Sequence, residues 1–197
     1  MTGADQPAPE GEPLRTFVAV PIPPVVADAV AEAIEPWRDA FPSLRWIPPE
    51  RWHVTIAFLG ATRPEVVTSV CEQHGVVAGA THAFEARVAG LGSFPSPRRA
   101  KVLWAGLDEG SERLSRLAAE VRAALAGGFA LDPRPFRPHL TVARSDTPLT
   151  LPAAYAATDL ESRPFTVDVI QLMQSHRGRA SPRYEVLSRF PLARDVP

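Results

Sequence analysis

The chain has 197 residues, 45% hydrophobic and 22% charged, an ordinary globular balance for one sizeable domain or two small lobes. Its net charge of −1 excludes a global basic field that would advertise nucleic acid, and no apolar run approaches the ~20 residues needed to span a bilayer. The single cysteine, Cys71, excludes an intramolecular disulfide and a cysteine-built metal site.

Residues 1–13 are polar and proline-rich, lack the apolar centre of a signal peptide, and carry −3 from Asp5, Glu10 and Glu12. They read as a flexible tail on a cytoplasmic protein, leaving +2 for the rest of the chain (−1 minus −3). One domain is expected over 14–192, with 193–197 as a C-terminal tail. Lys101 is the only lysine, so the positive charge is nearly all arginine, which a coding bias explains.

Arg15 to Val20 reads as a first strand, ended by Pro21, Pro23 and Pro24. Apolar residues at helical spacing follow over Val25–Ile34, and Pro36 and Pro42 limit that helix. Leu44 to Ile47 is a short strand. His53 to Gly60 alternates as a half-buried strand, and Pro64 opens a helix over Glu65–Ala78 with Val66, Val67, Val70, Cys71 and Val77 as its buried stripe. Phe84–Leu91 and Lys101–Leu107 read as strands around a turn. Ser111 is a good N-cap for a helix running to Gly127-Gly128. His139 to Val142 begins another strand, Ser145–Ala157 is loop-like, and Phe165–Met173 and Tyr184–Leu187 close the chain around the turn Ser175–Pro182. The order of elements is that of an α+β protein.

Two of these strands share a pattern. His53-Val54-Thr55-Ile56 and His139-Leu140-Thr141-Val142 are both His-apolar-Thr-apolar, 86 residues apart (139 − 53). A strand has a side-chain period of two, so each run puts its histidine and threonine on one face. Two similar halves would set the two motifs across a shared groove. The chemistry that fits is in-line phosphodiester cleavage. A neutral imidazole takes a proton from the attacking water, a protonated one gives a proton to the departing oxygen, and the threonine hydroxyls hold non-bridging oxygens. The scheme requires no metal, and Arg144 is placed to stabilise charge developing on the phosphate.

These motifs and their flanks, HVTIAFLG over 53–60 and RPFRPHLTVAR over 134–144, resemble the two-histidine phosphoesterase superfamily. Within it they are similar to bacterial RNA 2′,3′-cyclic phosphodiesterases of the LigT type, first described as 2′-5′ RNA ligases. The resemblance covers Leu14 to Leu192. It implies a bilobal LigT-like fold with two pseudo-symmetric antiparallel sheets and outer helices around a central cleft. It also implies hydrolysis of a terminal 2′,3′-cyclic phosphate to a 2′-phosphate without a cofactor. In that resemblance His53 is the proton donor to the leaving 3′-oxygen and His139 the base that activates water. Thr55, Thr141 and Arg144 match phosphate-binding positions, and Phe17 matches an aromatic able to stack on a base. The implied partners are RNA 3′ ends or nucleotides bearing the cyclic phosphate, the implied state a monomer. Arg51-Trp52 departs from the pattern; Trp52 alternates away from His53 and is expected to affect packing or the groove rim.

Two other readings stand beside this one: joining of RNA ends through a 2′-5′ bond, and a non-catalytic module that binds RNA ends or nucleotides. A Gly-x-Ser-x-Gly elbow and a phosphate-binding glycine loop are both absent from the sequence. His74 reads as a polar position near a helix end, and His82 and His176 as loop or turn residues. Arg98-Arg99-Lys101 and Arg177-Arg179-Arg183 read as basic turns that could border the groove. Trp37, Trp46 and Trp104 read as core, and Arg134, Phe136 and Arg137 as residues that shape the approach or brace the strand of the second motif.

Overall fold

The computed structural model describes residues 12–176 and 183–194. Strand β1 (Leu14–Pro21) leads to helix α1 (Pro24–Ala40), the two-residue strand β2 (Arg45–Trp46) and strand β3 (His53–Thr62). Then come helix α2 (Pro64–Ala80), strands β4 (Phe84–Ala86), β5 (Val88–Phe94) and β6 (Ala100–Leu107), and helix α3 (Ser111–Ala124). Strand β7 (His139–Leu149), the short helix α4 (Ala153–Ala156) and strands β8 (Phe165–Val167), β9 (Val169–His176) and β10 (Arg183–Pro191) complete the order. Prolines open α1 and α2 at the first turn, where a missing N–H costs nothing.

The main sheet is antiparallel, in the order β10-β9-β1-β3-β7-β6-β5, with β2 alongside β7. Its waist is narrow: β3 and β7 share the single pair Val54↔Leu140. The two sheets expected from the resemblance are therefore the two halves of one path, β10-β9-β1-β3 and β7-β6-β5, hinged at that pair. Strands β4 and β8 form a separate two-stranded sheet. Helix α2 lies against α3, β9 and β10, and α3 also against β3. The core between them holds Val18, Val20, Val54, Leu114, Leu117, Val121 and Leu172, all at most 1% exposed.

Several elements differ from their sequence expectations for local reasons. Helix α1 runs through Pro36 to Ala40. Tertiary contacts outweigh the proline there: Trp37 donates its indole N–H to Thr158 Oγ1 at 2.9 Å and meets Tyr155 edge-on. The strand expected over Phe84–Leu91 breaks at Arg87, whose guanidinium pairs with Asp108 at 2.7 Å and with Glu161. Gly110 takes the N-cap position of α3 at φ 73, where a Cβ would collide with Glu85 and Ala86. Ser111 is therefore the first helical residue, and its carbonyl accepts from the Ser115 hydroxyl.

His74 is not a polar position at a helix end. It is 1% exposed in mid-α2, with Nδ1 2.5 Å from the Val70 carbonyl and its ring against Phe190. Strand β7 extends to Leu149 through what read as a loop, pairing Leu149 with Ala100, and α4 follows with Tyr155 buried. The C-terminal boundary also moves: Ala193 N donates to Thr81 O at 2.8 Å, and Arg194 pairs with Asp168. The N-terminal tail through residue 11 and the basic-turn residues Arg177 and Arg179 lie outside the described residues.

Candidate active site

The site grows out of the waist. Val54 and Leu140 pair across it with their side chains fully buried. By alternation, the residues on either side of each point to the opposite face. That face therefore carries His53 and Thr55 from β3 and His139 and Thr141 from β7. Because the strands are antiparallel, His53 lies toward Thr141 and Thr55 toward His139.

A bulge at the same place in both motifs extends the set. In the β1–β3 register Ala19 faces Thr55 and Val18 faces Ala57, so Ile56 is skipped. In the β6–β7 register Trp104 faces Thr141 and Leu103 faces Ala143, so Val142 is skipped. Ile56 and Val142 are 2% and 0% exposed. One extra residue reverses the alternation beyond it. Phe58 and Arg144, each three residues past a threonine, thus return to the site face, and both are exposed.

The two imidazoles are held alike. His53 Nδ1 lies 2.9 Å from the Arg51 carbonyl, and His139 Nδ1 lies 2.6 Å from the Arg137 carbonyl. A carbonyl oxygen only accepts, so Nδ1 carries the proton in each ring. That leaves Nε2 as the free base of a neutral imidazole and the acid of a protonated one. The rings are also walled alike. Phe17 and Tyr184 flank His53 at centroid distances of 4.9 and 5.3 Å, and Phe94 and Trp104 flank His139 at 5.0 and 6.4 Å. Trp104 lies directly across Gly92, where a Cβ would overlap its indole.

These walls set the electrostatics. Burial against the rings lowers the His53 pKa from 6.5 to about 4, opposed by the Arg51 carbonyl and assisted by the charges of Arg144 and His139. The His139 pKa is lowered from 6.5 by burial, opposed by the Arg137 carbonyl and assisted by Arg144. Both rings are thus poised neutral without substrate, and a phosphate anion between them would pull both back up. The half-buried hydroxyls of Thr55 and Thr141 have no hydrogen-bond partner among the described residues. Two basic, proton-exchanging nitrogens, two free hydroxyls and one guanidinium on one face can bind a phosphate and move protons on either side of it.

The structure brings together His53, His139, Thr55, Thr141 and Arg144. It places Phe17 differently from its expectation as a base-stacking ring: Phe17 is 3% exposed, closed in by His53, Phe58 and Tyr184. The exposed ring is Phe58, at 55%. Sequence reasoning missed Phe58, Tyr184 and Phe94. For Phe58 a signal existed, because aligning His53-Val-Thr-Ile-Ala-Phe on His139-Leu-Thr-Val-Ala-Arg sets it on Arg144. Trp52 is buried, donating its indole N–H to the Ile47 carbonyl at 2.9 Å, as its alternation away from His53 predicts. Arg134 pairs with Asp132, and His176 with Glu185.

Known proteins share this arrangement of chain. An RNA 2′,3′-cyclic phosphodiesterase of Aeropyrum pernix is 32% identical over 149 residues, covering 73% of this chain and 84% of its own. One of Geobacillus stearothermophilus is 33% identical over 180 residues, 89% of this chain, and the match spans only 56% of that longer protein. Among solved structures, TT0787 of Thermus thermophilus superposes with a TM-score of 0.77 at 28% identity, covering 93% of this chain and all of that one. Escherichia coli LigT complexed with 3′-AMP superposes at 0.73 and 26% identity, covering 92% and 99%. Residues 26–179, a span that includes both His-x-Thr strands and the waist between them, match the family model of the 2′-5′ RNA ligase superfamily, and the chain belongs to that superfamily.

Proposed function

We propose that the protein hydrolyses the 2′,3′-cyclic phosphate at an RNA 3′ end, or on a nucleotide, to a 2′-phosphate and a free 3′-hydroxyl. The observation that carries this reading is the matched pair of imidazoles, each held through Nδ1, on the face that also holds two threonine hydroxyls without a hydrogen-bond partner among the described residues. The named activity of the Aeropyrum and Geobacillus relatives supports it.

In this reading Thr55 and Thr141 donate to the non-bridging phosphate oxygens and hold phosphorus between the rings. His139 Nε2 takes a proton from water as its oxygen bonds to phosphorus. The bond from phosphorus to the 3′-oxygen breaks on the other side, and His53 Nε2 supplies the proton that makes the 3′-hydroxyl. Arg144 offsets the charge gathering on the phosphoryl oxygens. The cycle leaves His139 protonated and His53 neutral, and exchange with water restores both. We place the activity in the cytoplasm and in the monomer.

The test is hydrolysis of an oligonucleotide ending in 2′,3′-cyclic phosphate, with EDTA present and the product identified as the 2′-phosphate. His53→Ala and His139→Ala should each lose about 10²–10⁴-fold. Undiminished turnover in both variants would sink the reading. The superfamily's description carries a second one, in which a 5′-hydroxyl replaces water as nucleophile and the product is a 2′-5′ linkage. Adding a 5′-hydroxyl acceptor to the same assay separates the two by product.

A further inference from the structure

A groove of about 590 Å³, within the usual range of ligand sites, opens beside His53. It lies over the β10-β9-β1-β3 half of the sheet, and its rim is built by the first turn of α1 and the 3₁₀ turn Pro49–Arg51. None of its lining residues comes from the β7-β6-β5 half.

Gln171, Met173, Val186 and Arg189 line it from the sheet, and the registers continue them toward the site as two rows. Thr55, Ala19, Gln171 and Arg189 are successive partners across β3, β1, β9 and β10, so they lie in line on the site face. Phe58, Phe17, Met173 and Val186 form the next row in the same way. The first row starts at a proposed phosphate-binding hydroxyl, passes the buried amide of Gln171 and ends at an exposed arginine. The second row is wholly apolar, and its two ends are exposed, Phe58 at 55% and Val186 at 37%. Three strand spacings separate Thr55 from Arg189, about 14 Å between Cα atoms. Arg189 lines the groove, and an arginine side chain is long enough to span part of that distance, leaving roughly the length of one nucleotide.

The proposed reaction fixes which way the strand leaves the site. His53 faces the departing 3′-oxygen and His139 the attacking water, so the ribose sits on the His53 side. Its base and 5′-oxygen then extend over the groove. Asp28, Glu50 and Arg51 line the rim formed by α1 and the 3₁₀ turn, so that side carries more negative than positive charge. Arg189 has no ion-pair partner among the described residues.

We propose that this groove seats the RNA strand leading into the cyclic phosphate, with the terminal base on the apolar row and Arg189 on the phosphodiester 5′ of the terminal nucleoside. The inference rests on the phosphodiesterase reading and extends it: the preferred substrate is an oligonucleotide end, not a cyclic mononucleotide.

The experiment compares a nucleoside 2′,3′-cyclic phosphate with the dinucleotide that adds one 5′ nucleotide to it. Wild-type protein should favour the dinucleotide in kcat/KM by about tenfold, the scale of one charge-assisted contact. Arg189→Gln should erase that preference and leave mononucleotide turnover unchanged, which also shows that the variant folds. Arg189→Lys should keep most of it. A dinucleotide with a neutral methylphosphonate linkage should lose the preference in the wild type. Equal turnover of both substrates by the wild type, or a preference that survives Arg189→Gln, overturns the inference alone. Turnover of neither substrate overturns the phosphodiesterase reading and this inference with it.

Discussion

Phe58 stands where Arg144 stands: each lies five residues after its motif histidine and reaches the site face through the same skipped residue. The two halves of the site are alike in their histidines, threonines and bulges, and they part company here. One half presents an exposed ring, the other a cation. A substrate with one charged end and one aromatic end has a defined orientation in such a site.

Arg144 is the cation whose field reaches both imidazoles. Removing it should cost transition-state stabilisation more than ground-state binding. Arg144→Gln is expected to lower kcat by about 10²-fold or more with a smaller change in KM, and Arg144→Lys to recover part of it. Steady-state kinetics on a cyclic-phosphate substrate read this directly. A rise in KM alone would show that Arg144 serves binding only.

Phe58 should show the opposite pattern. Base–aromatic stacking is worth about 1–3 kcal/mol per base. Phe58→Ala should therefore raise KM for a nucleotide substrate about tenfold, with kcat nearly unchanged, and Phe58→Trp should keep KM close to wild type. Phe17→Leu should instead lower kcat, because Phe17 braces the His53 ring and offers no face to a base.

The pH dependence follows from the direction of the histidine shifts. In the proposed reaction His139 is the neutral base, so activity should rise as pH climbs through its lowered pKa. His53 is there the protonated acid, so activity should fall as pH climbs through a value near 4 in the free protein. The kcat/KM profile should therefore peak on the acid side of 6.5. In the bound state the phosphate anion favours both protonated rings, so the kcat profile should lie at higher pH than that of kcat/KM. Coincident profiles would mean that the substrate charge does not reach the rings.

Much of this was legible in the sequence because it is local. The His-Thr alternation names the site face without any coordinates, and the doubled motif implies a paired site. The bulges at Ile56 and Val142 are not legible, since a skipped residue is a property of the neighbouring strand's register. Without them, Arg144 falls on the wrong face by simple alternation. The helix through Pro36 depends on Trp37 meeting Thr158 and Tyr155, residues far off in sequence. Phe17 matched a base-stacking position by resemblance alone, and only the tertiary fold shows Tyr184 and Phe58 closing over it. His74 read as a polar position near a helix end because one histidine in a helix says nothing of what lies against it.

His74 yields a prediction apart from catalysis. It is buried, Nε2 has no partner among the described residues, and burial lowers its pKa despite the Val70 carbonyl on Nδ1. A folded-state pKa below the unfolded value of 6.5 means that protons favour the unfolded chain. Its contribution is intact above pH 6.5 and is lost progressively as pH falls from there toward the folded value. His74→Leu should make Tm fall less steeply as pH drops below 6.5 while hydrolysis is unaffected. Some acid sensitivity should persist from His53 and His139, which shift in the same direction.

Gly92 tests how far the second imidazole depends on its wall. Trp104 lies flat over Gly92 and beside His139, so a methyl group at 92 must push the indole out of place. Overpacking of this kind typically costs about 1–3 kcal/mol. Gly92→Ala should therefore lower Tm by several degrees. It should also lower kcat, because the displaced indole takes with it the surface that holds the His139 ring and lowers its pKa. The pH profile separates the two effects. Simple destabilisation would scale activity down at every pH, whereas a loosened wall moves the His139 limb toward 6.5. Crossing the variant with Trp104→Phe completes the argument: the smaller ring makes room for the methyl, so the double variant should regain stability relative to Gly92→Ala. An additive loss of stability in the double variant would place the strain somewhere other than the indole.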